Sequence, residues 1–153
     1  MTTFAHAGSG SIATILLLGI QPQEHFLQAV AVLSATILDL DHLYFFLKDK
    51  SAMIPGNMHK ARSVLHELIG FIIIGVIMLG LSFFDFKLAL LVGMPMMIHL
   101  TEDFIMGISI PFNPIDKMEM KLLPQKKKLK IIIDLLVLLI SGYLWIIFLN
   151  GQI

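Results

Sequence analysis

Cysteine is absent from the 153 residues. That removes disulfides, thiolate metal sites and cysteine nucleophiles together, and leaves the redox compartment open. Charge is also scarce: Asp, Glu, Lys and Arg make up 14% of the chain, about half the share of an ordinary soluble domain. The 11 basic and 11 acidic residues cancel, so no global basic field points to nucleic acid. Met1-Thr2-Thr3-Phe4 has no basic residue and no small-residue cleavage pattern follows, so a cleavable signal is not expected. The long apolar runs lack period-two alternation, which argues against membrane strands. H-E-x-x-H is missing, because His66-Glu67 is followed by Leu68-Ile69-Gly70, and G-x-S-x-G is missing too. Zinc-peptidase and serine-nucleophile chemistry therefore lack support.

What the chain has is apolar length. Hydrophobic residues make up 57% of it, gathered into five segments at about 4–20, 26–47, 62–84, 88–108 and 131–149. A soluble domain of this size cannot hide several such runs, so the bilayer is the expected solvent. The expected fold is all-α: a single integral membrane domain, a multi-pass bundle of about five helices. Ala7, Gly8, Ser9, Gly10 and Ser11 give the first segment small residues suited to close helix contact.

Basic residues set the expected orientation. Lys48, Lys50, Lys60 and Arg62 lie between segments two and three, and Lys117, Lys121, Lys126, Lys127, Lys128 and Lys130 lie between four and five. With five spans both loops share a side with the N-terminus, and the other side has only Lys87. The positive-inside rule then puts the N-terminus and the basic loops in the cytoplasm, with the chain in the inner (cytoplasmic) membrane. The stretch 117–130, with Met118, Met120, Leu122 and Leu123 among its lysines, reads equally as a segment lying on the anionic leaflet or as a solvated linker.

This topology gathers the polar residues. His6 opens segment one; Asp39, Asp41 and His42 close segment two; His59, Arg62, His66 and Glu67 open segment three; His99, Glu102 and Asp103 approach the end of segment four. Odd segments leave the cytoplasmic face and even ones return to it, so all four groups arrive at one membrane face. Of the six histidines only His25 lies elsewhere. Ionisable side chains in a membrane helix cost roughly 2.5–3.5 kcal/mol each on insertion scales, unless partners compensate. A divalent cation is an efficient partner, because it neutralises acids and uses imidazole lone pairs. Ligation by His and Asp without thiolate suits zinc, manganese or iron, with zinc favoured.

Helical spacing sharpens the set. His99 and Asp103 stand four apart on one face, with Glu102 close to it, and Asp39 shares a face with His42. Asp41 becomes a ligand only where the helix loosens. His59 and His66 are two turns apart, about 10 Å, so His66 is the candidate ligand of the pair. The alternative for each residue alone is a buried hydrogen-bonding or interfacial role. Asp134, isolated in segment five, reads as a helix-start or interfacial acid. A shift of sixty positions maps His6 on His66 and Asp39 on His99, a correspondence with little else behind it.

The ordered set resembles the YdjM-type family of membrane-bound metal-dependent hydrolases. The resemblance rests on the N-terminal His6, D-x-D-H at Asp39, Asp41 and His42, a basic stretch leading into Arg62 and His66, and H-x-x-x-D at His99 and Asp103. A Gly/Pro tail ending in Pro111-Phe112 follows, so the likeness covers residues 6 to about 114. Members of that family often read H-R-G-x-T-H-S where this chain has His59-Lys60-Ala61-Arg62-Ser63-Val64-Leu65-His66-Glu67. The resemblance implies a metal-dependent hydrolase.

The expected ligands are His6, Asp39, Asp41, His42, His66, His99 and Asp103. Glu67 or Glu102 would act as base, and Arg62 would grip a phosphate oxygen pair. The expected substrate is a phosphoester of a phospholipid headgroup at the cytoplasmic face. The rival expectation is a non-catalytic metal-binding or ion-transporting membrane protein.

Overall fold

The computed structural model describes residues 2–40, 64–113, 115–116, 118–124 and 126–153. Among these there are five α-helices and no strand: α1 Thr3–Leu17, α2 His25–Thr36, α3 Leu68–Ser82, α4 Phe86–Met106 and α5 Lys127–Leu149. Two single 3-10 turns, Ile37–Asp39 and Val64–His66, follow α2 and precede α3.

The helices start and stop for local reasons. Thr2 caps α1 by accepting from the Ala5 amide, and Asp85 caps α4 by accepting from the Leu88 amide. α1 ends at Leu17, three residues short of the expected segment end at 20, because Gly19 takes φ +60° and closes a Schellman turn. There the Ile20 amide donates to Ile15 O at 3.1 Å and the Gly19 amide to Leu16 O at 3.3 Å.

Segment three was expected to be helical from Arg62; the regular helix begins only at Leu68. Glu67 breaks the run with an extended backbone, φ −113° and ψ −173°, so His66 sits in a turn of its own. Segment two likewise tightens to a 3-10 turn after Thr36. Two helices, α4 with 21 residues and α5 with 23, are long and apolar enough to cross a membrane. The helices α1, α2 and α3, of 15, 12 and 15 residues, fall short of the roughly 20 that a full span takes.

α1 pairs with α2 and α3 with α4 as hairpins, and α4 also packs on α1 and α2. α5 touches the bundle through α1. That contact runs along one narrow seam. Asp134 Oδ1 accepts from the Thr2 amide at 2.8 Å, Ser141 lies against Gly8, and Phe148 joins Ile12 and Ile15 in the apolar core. Successive members stand seven apart on α5, which makes α1 and α5 parallel neighbours. The remainder of α5 is open, with only 11% of its most apolar stretch buried.

Close approach uses α1's small residues, as its composition led one to expect. A Cβ at Gly10 would lie 3.1 Å from the Pro95 carbonyl of α4 and 3.4 Å from Ala35 Cβ of α2. The hydroxyls of Ser9, Ser11 and Thr14 bond back to the carbonyls of Ala5, Ala7 and Gly10 in their own helix. Such internal satisfaction is what buried hydroxyls need where water is excluded.

The bundle is polar at one end and apolar at the other. Ile12, Ile15, Ile20, Ala31, Leu91 and Phe148 form the core at the α1–α2 turn. The buried histidines occupy the opposite end.

Candidate metal centre

Four chain segments deliver side chains to the polar end. His6 comes from the first turn of α1, Asp39 from the turn after α2, His66 from the turn before α3, and His99 and Asp103 from successive turns of α4. His6, His66, His99 and Asp103 are all at most 2% exposed.

The His99 ring is held from behind. Its Nδ1 lies 2.7 Å from the Ala35 carbonyl. A carbonyl only accepts, so Nδ1 carries the proton and a neutral ring has its lone pair on Nε2. The Ala35 carbonyl lies just before the end of α2, where the chain tightens to the 3-10 turn Ile37–Asp39. The same turn brings Asp39 Oδ1 to 3.5 Å from His99 Nε2.

His6 is held in the same manner by a different group. Its Nδ1 donates to Glu102 Oε2 at 2.7 Å, and its Nε2 faces Asp103 Oδ1 at 3.2 Å. The rings of His6 and His99 stack with centroids 3.9 Å apart. Both Nε2 atoms are buried, and each faces an aspartate, Asp103 for His6 and Asp39 for His99. Asp103 reaches the third imidazole too, with Oδ2 3.9 Å from His66 Nε2.

Two ligand triplets result, His6-His99-Asp103 and Asp39-His66-His99, each with donor atoms within 4.8 Å of one another. His and Asp donors at such separations could hold a metal ion. The sequence-expected residues His6, Asp39, His66, His99 and Asp103 are thus brought together. Asp41, His42, His59 and Arg62 lie outside the described residues.

The two expected bases sit differently. Glu102 turns the oxygen that faces the site onto His6, as above. Glu67 is buried beside His66, and its Oε2 accepts from the Ile110 amide at 2.9 Å, fastening the chain beyond α4. Sequence reasoning missed the Ala35 carbonyl, which as a main-chain atom leaves no trace in residue type. It also missed the His6–Glu102 pair, whose partners are 96 positions apart.

A family model for the YdjM inner membrane proteins matches residues 1–152. The chain belongs to the YdjM inner membrane protein family. Neither the curated proteins nor the solved structures contain a match to it. For a YdjM family member, the match extends the resemblance past the histidine and aspartate motifs to include α5. A family of inner membrane proteins also accounts for the open apolar surface of α5, whose natural neighbour is lipid.

Proposed function

We propose that the chain is a multi-pass, membrane-bound metal-dependent hydrolase acting on a phosphoester, such as a lipid headgroup, at the cytoplasmic face. One observation carries the reading. Two buried imidazoles, each with Nδ1 committed to a fixed acceptor, turn their Nε2 atoms toward aspartates, His6 toward Asp103 and His99 toward Asp39, with His99 in reach of Asp103 as well. A neutral imidazole lone pair turned on a carboxylate oxygen is repelled by it, and a cation between the two relieves that.

His99 belongs to both triplets but has only Nε2 to give, so the triplets are two halves of one centre. Its ligands would be His6, His66, His99, Asp39 and Asp103, with zinc favoured over manganese or iron. An ion held there supplies Lewis acidity and makes water a usable nucleophile near neutral pH. Around it, Glu102 fixes the tautomer and ring angle of His6. Arg62 would take a substrate phosphate bidentately, which lysine cannot reproduce. Transport is disfavoured because the other end of the bundle is closed by the apolar core of Ile12, Ile15, Leu91 and Phe148.

The test uses purified protein loaded with zinc or manganese and a phospholipid phosphoester. Metal-dependent release of product is expected, lost on chelation and regained on adding metal back. A second reading, a closed non-catalytic metal site, draws on the near-complete burial of His66, His99 and Asp103. Tightly held metal with no turnover on any phosphoester would favour it.

The role of Glu102 is separately testable. Glu102→Ala frees the His6 ring and is expected to weaken metal affinity by about 10–100-fold, the usual effect of removing a carboxylate that orients a ligating histidine. Glu102→Gln, which can still accept from Nδ1, should fall between. Wild-type affinity in Glu102→Ala, measured by competition with a chromophoric chelator, would exclude the orienting role.

A further inference from the structure

Between α4 and α5 the chain makes a hairpin that the site does not use. The Ser109 amide donates to Met120 O at 3.0 Å and the Met120 amide to Ser109 O at 2.8 Å, closing the loop at its base. Inside it, Ile115 N donates to Phe112 O, and Met118 N to Asp116 Oδ1. The loop is therefore built, yet it turns its apolar side chains outward. Ile115 is 92% exposed, and Phe112, Met118 and Leu122 are each about half exposed at 49%, 53% and 52%.

The same stretch of chain carries Lys121, Lys126, Lys127 and Lys128, all exposed, with Lys121 paired to Glu119 at 3.2 Å. Three of these lysines are at the start of α5, which has no acidic residue in its first turn. Cations there oppose the positive end of the helix dipole, so they do not serve the helix. Aqueous solvent suits the lysines and not the isoleucine; an apolar protein partner suits the isoleucine and not the lysines. A leaflet rich in acidic phospholipid suits both, since its phosphates meet the ammonium groups while the acyl boundary takes the apolar tips.

We propose that the described residues of this hairpin and the start of α5 form a docking surface for acidic phospholipid headgroups, with Phe112, Ile115, Met118 and Leu122 inserted and Lys126, Lys127 and Lys128 at phosphate level. The surface stands on its own residues and is independent of the metal reading. It is joined to the polar end of the bundle, because the Ile110 amide at the hairpin base bonds Glu67 beside His66.

The natural absence of cysteine permits a direct test. Ile115→Cys, carrying a polarity-sensitive fluorophore, is placed in nanodiscs of phosphatidylcholine alone or mixed equally with phosphatidylglycerol. Quenching by acrylamide, an uncharged quencher, is expected to fall several-fold in the acidic discs, with a blue-shifted emission. Lys126→Gln, Lys127→Gln and Lys128→Gln combined should abolish the difference, each lysine contributing about fivefold to partition near an acidic surface. High salt should do the same to the wild-type chain, which covers the case of a poorly folded triple variant. A fluorophore at Gln23, at the other end of the bundle, should not respond. Equal quenching in both kinds of disc overturns the proposal, whether the probe is open to water or already shielded by protein. A difference that survives both the lysine replacements and high salt overturns it as well.

Discussion

His99→Ala and Asp103→Ala are each expected to leave the purified protein with less than about a tenth of the wild-type metal content, whereas His25→Ala keeps it. The size of the effect follows from position. His99 is shared by both ligand triplets, and Asp103 places one oxygen 3.2 Å from His6 and the other 3.9 Å from His66. Losing either removes a first-contact donor that neither lipid nor apolar packing replaces. His25 opens α2 at the opposite end and serves as the control for general damage. Acid should act in the same direction as the mutations. Imidazoles ligate only when neutral, so protons compete with the metal as the pH is lowered. Elemental analysis after equilibrium exchange reads both effects. Equal occupancy in the three variants would refute the centre, and retention to strongly acidic pH would argue against imidazole ligands.

Gly70→Ala is expected to cost about 3 kcal/mol or more of stability and to lower metal occupancy with it. A Cβ at Gly70 would lie 1.8 Å from the carbonyl oxygen of Leu65 and 2.7 Å from its carbonyl carbon. These are backbone atoms of the turn Val64–His66, so relief requires the turn to move, and His66 moves with it. Gly75→Ala, five residues along the same helix, supplies the comparison. Nothing lies within 4 Å of a Cβ there, and alanine favours a helix by roughly 1 kcal/mol over glycine. Thermal unfolding in detergent should separate the two substitutions in opposite directions. Equal melting of both would mean that the turn yields freely and does not fix His66.

Much of this arrangement was legible in the residues. α4 and α5 begin and end within a few positions of the apolar runs that mark them, because long uninterrupted hydrophobic stretches have one economical backbone. The gathering of His6, Asp39, His66, His99 and Asp103 followed from alternating helix direction alone. The stretch just after Thr36 in segment two and the one just before Leu68 in segment three were not legible. There the backbone leaves the regular helix for 3-10 turns and an extended Glu67, choices governed by contacts far along the chain, such as Glu67 with Ile110. α1, α2 and α3 are also shorter than the apolar segments that hold them, since hydropathy measures apolar length and not where a turn interrupts it. Asp134, set aside as an isolated acid, turns out to receive the Thr2 amide at the head of the α1–α5 seam.

The hold on His99 has an evolutionary consequence. Its orienting acceptor is a peptide carbonyl, and every residue type has one. Position 35 can therefore change among small side chains without removing the acceptor, whereas the His6 counterpart vanishes with a single codon change at Glu102. Half of the centre is thus inherited through the shape of a helix end and half through residue identity. The two halves should drift differently among relatives: substitutions at 35 tolerated as long as α2 ends where it does, and insertions or deletions between 35 and 39 selected against even where no side chain of the centre is altered.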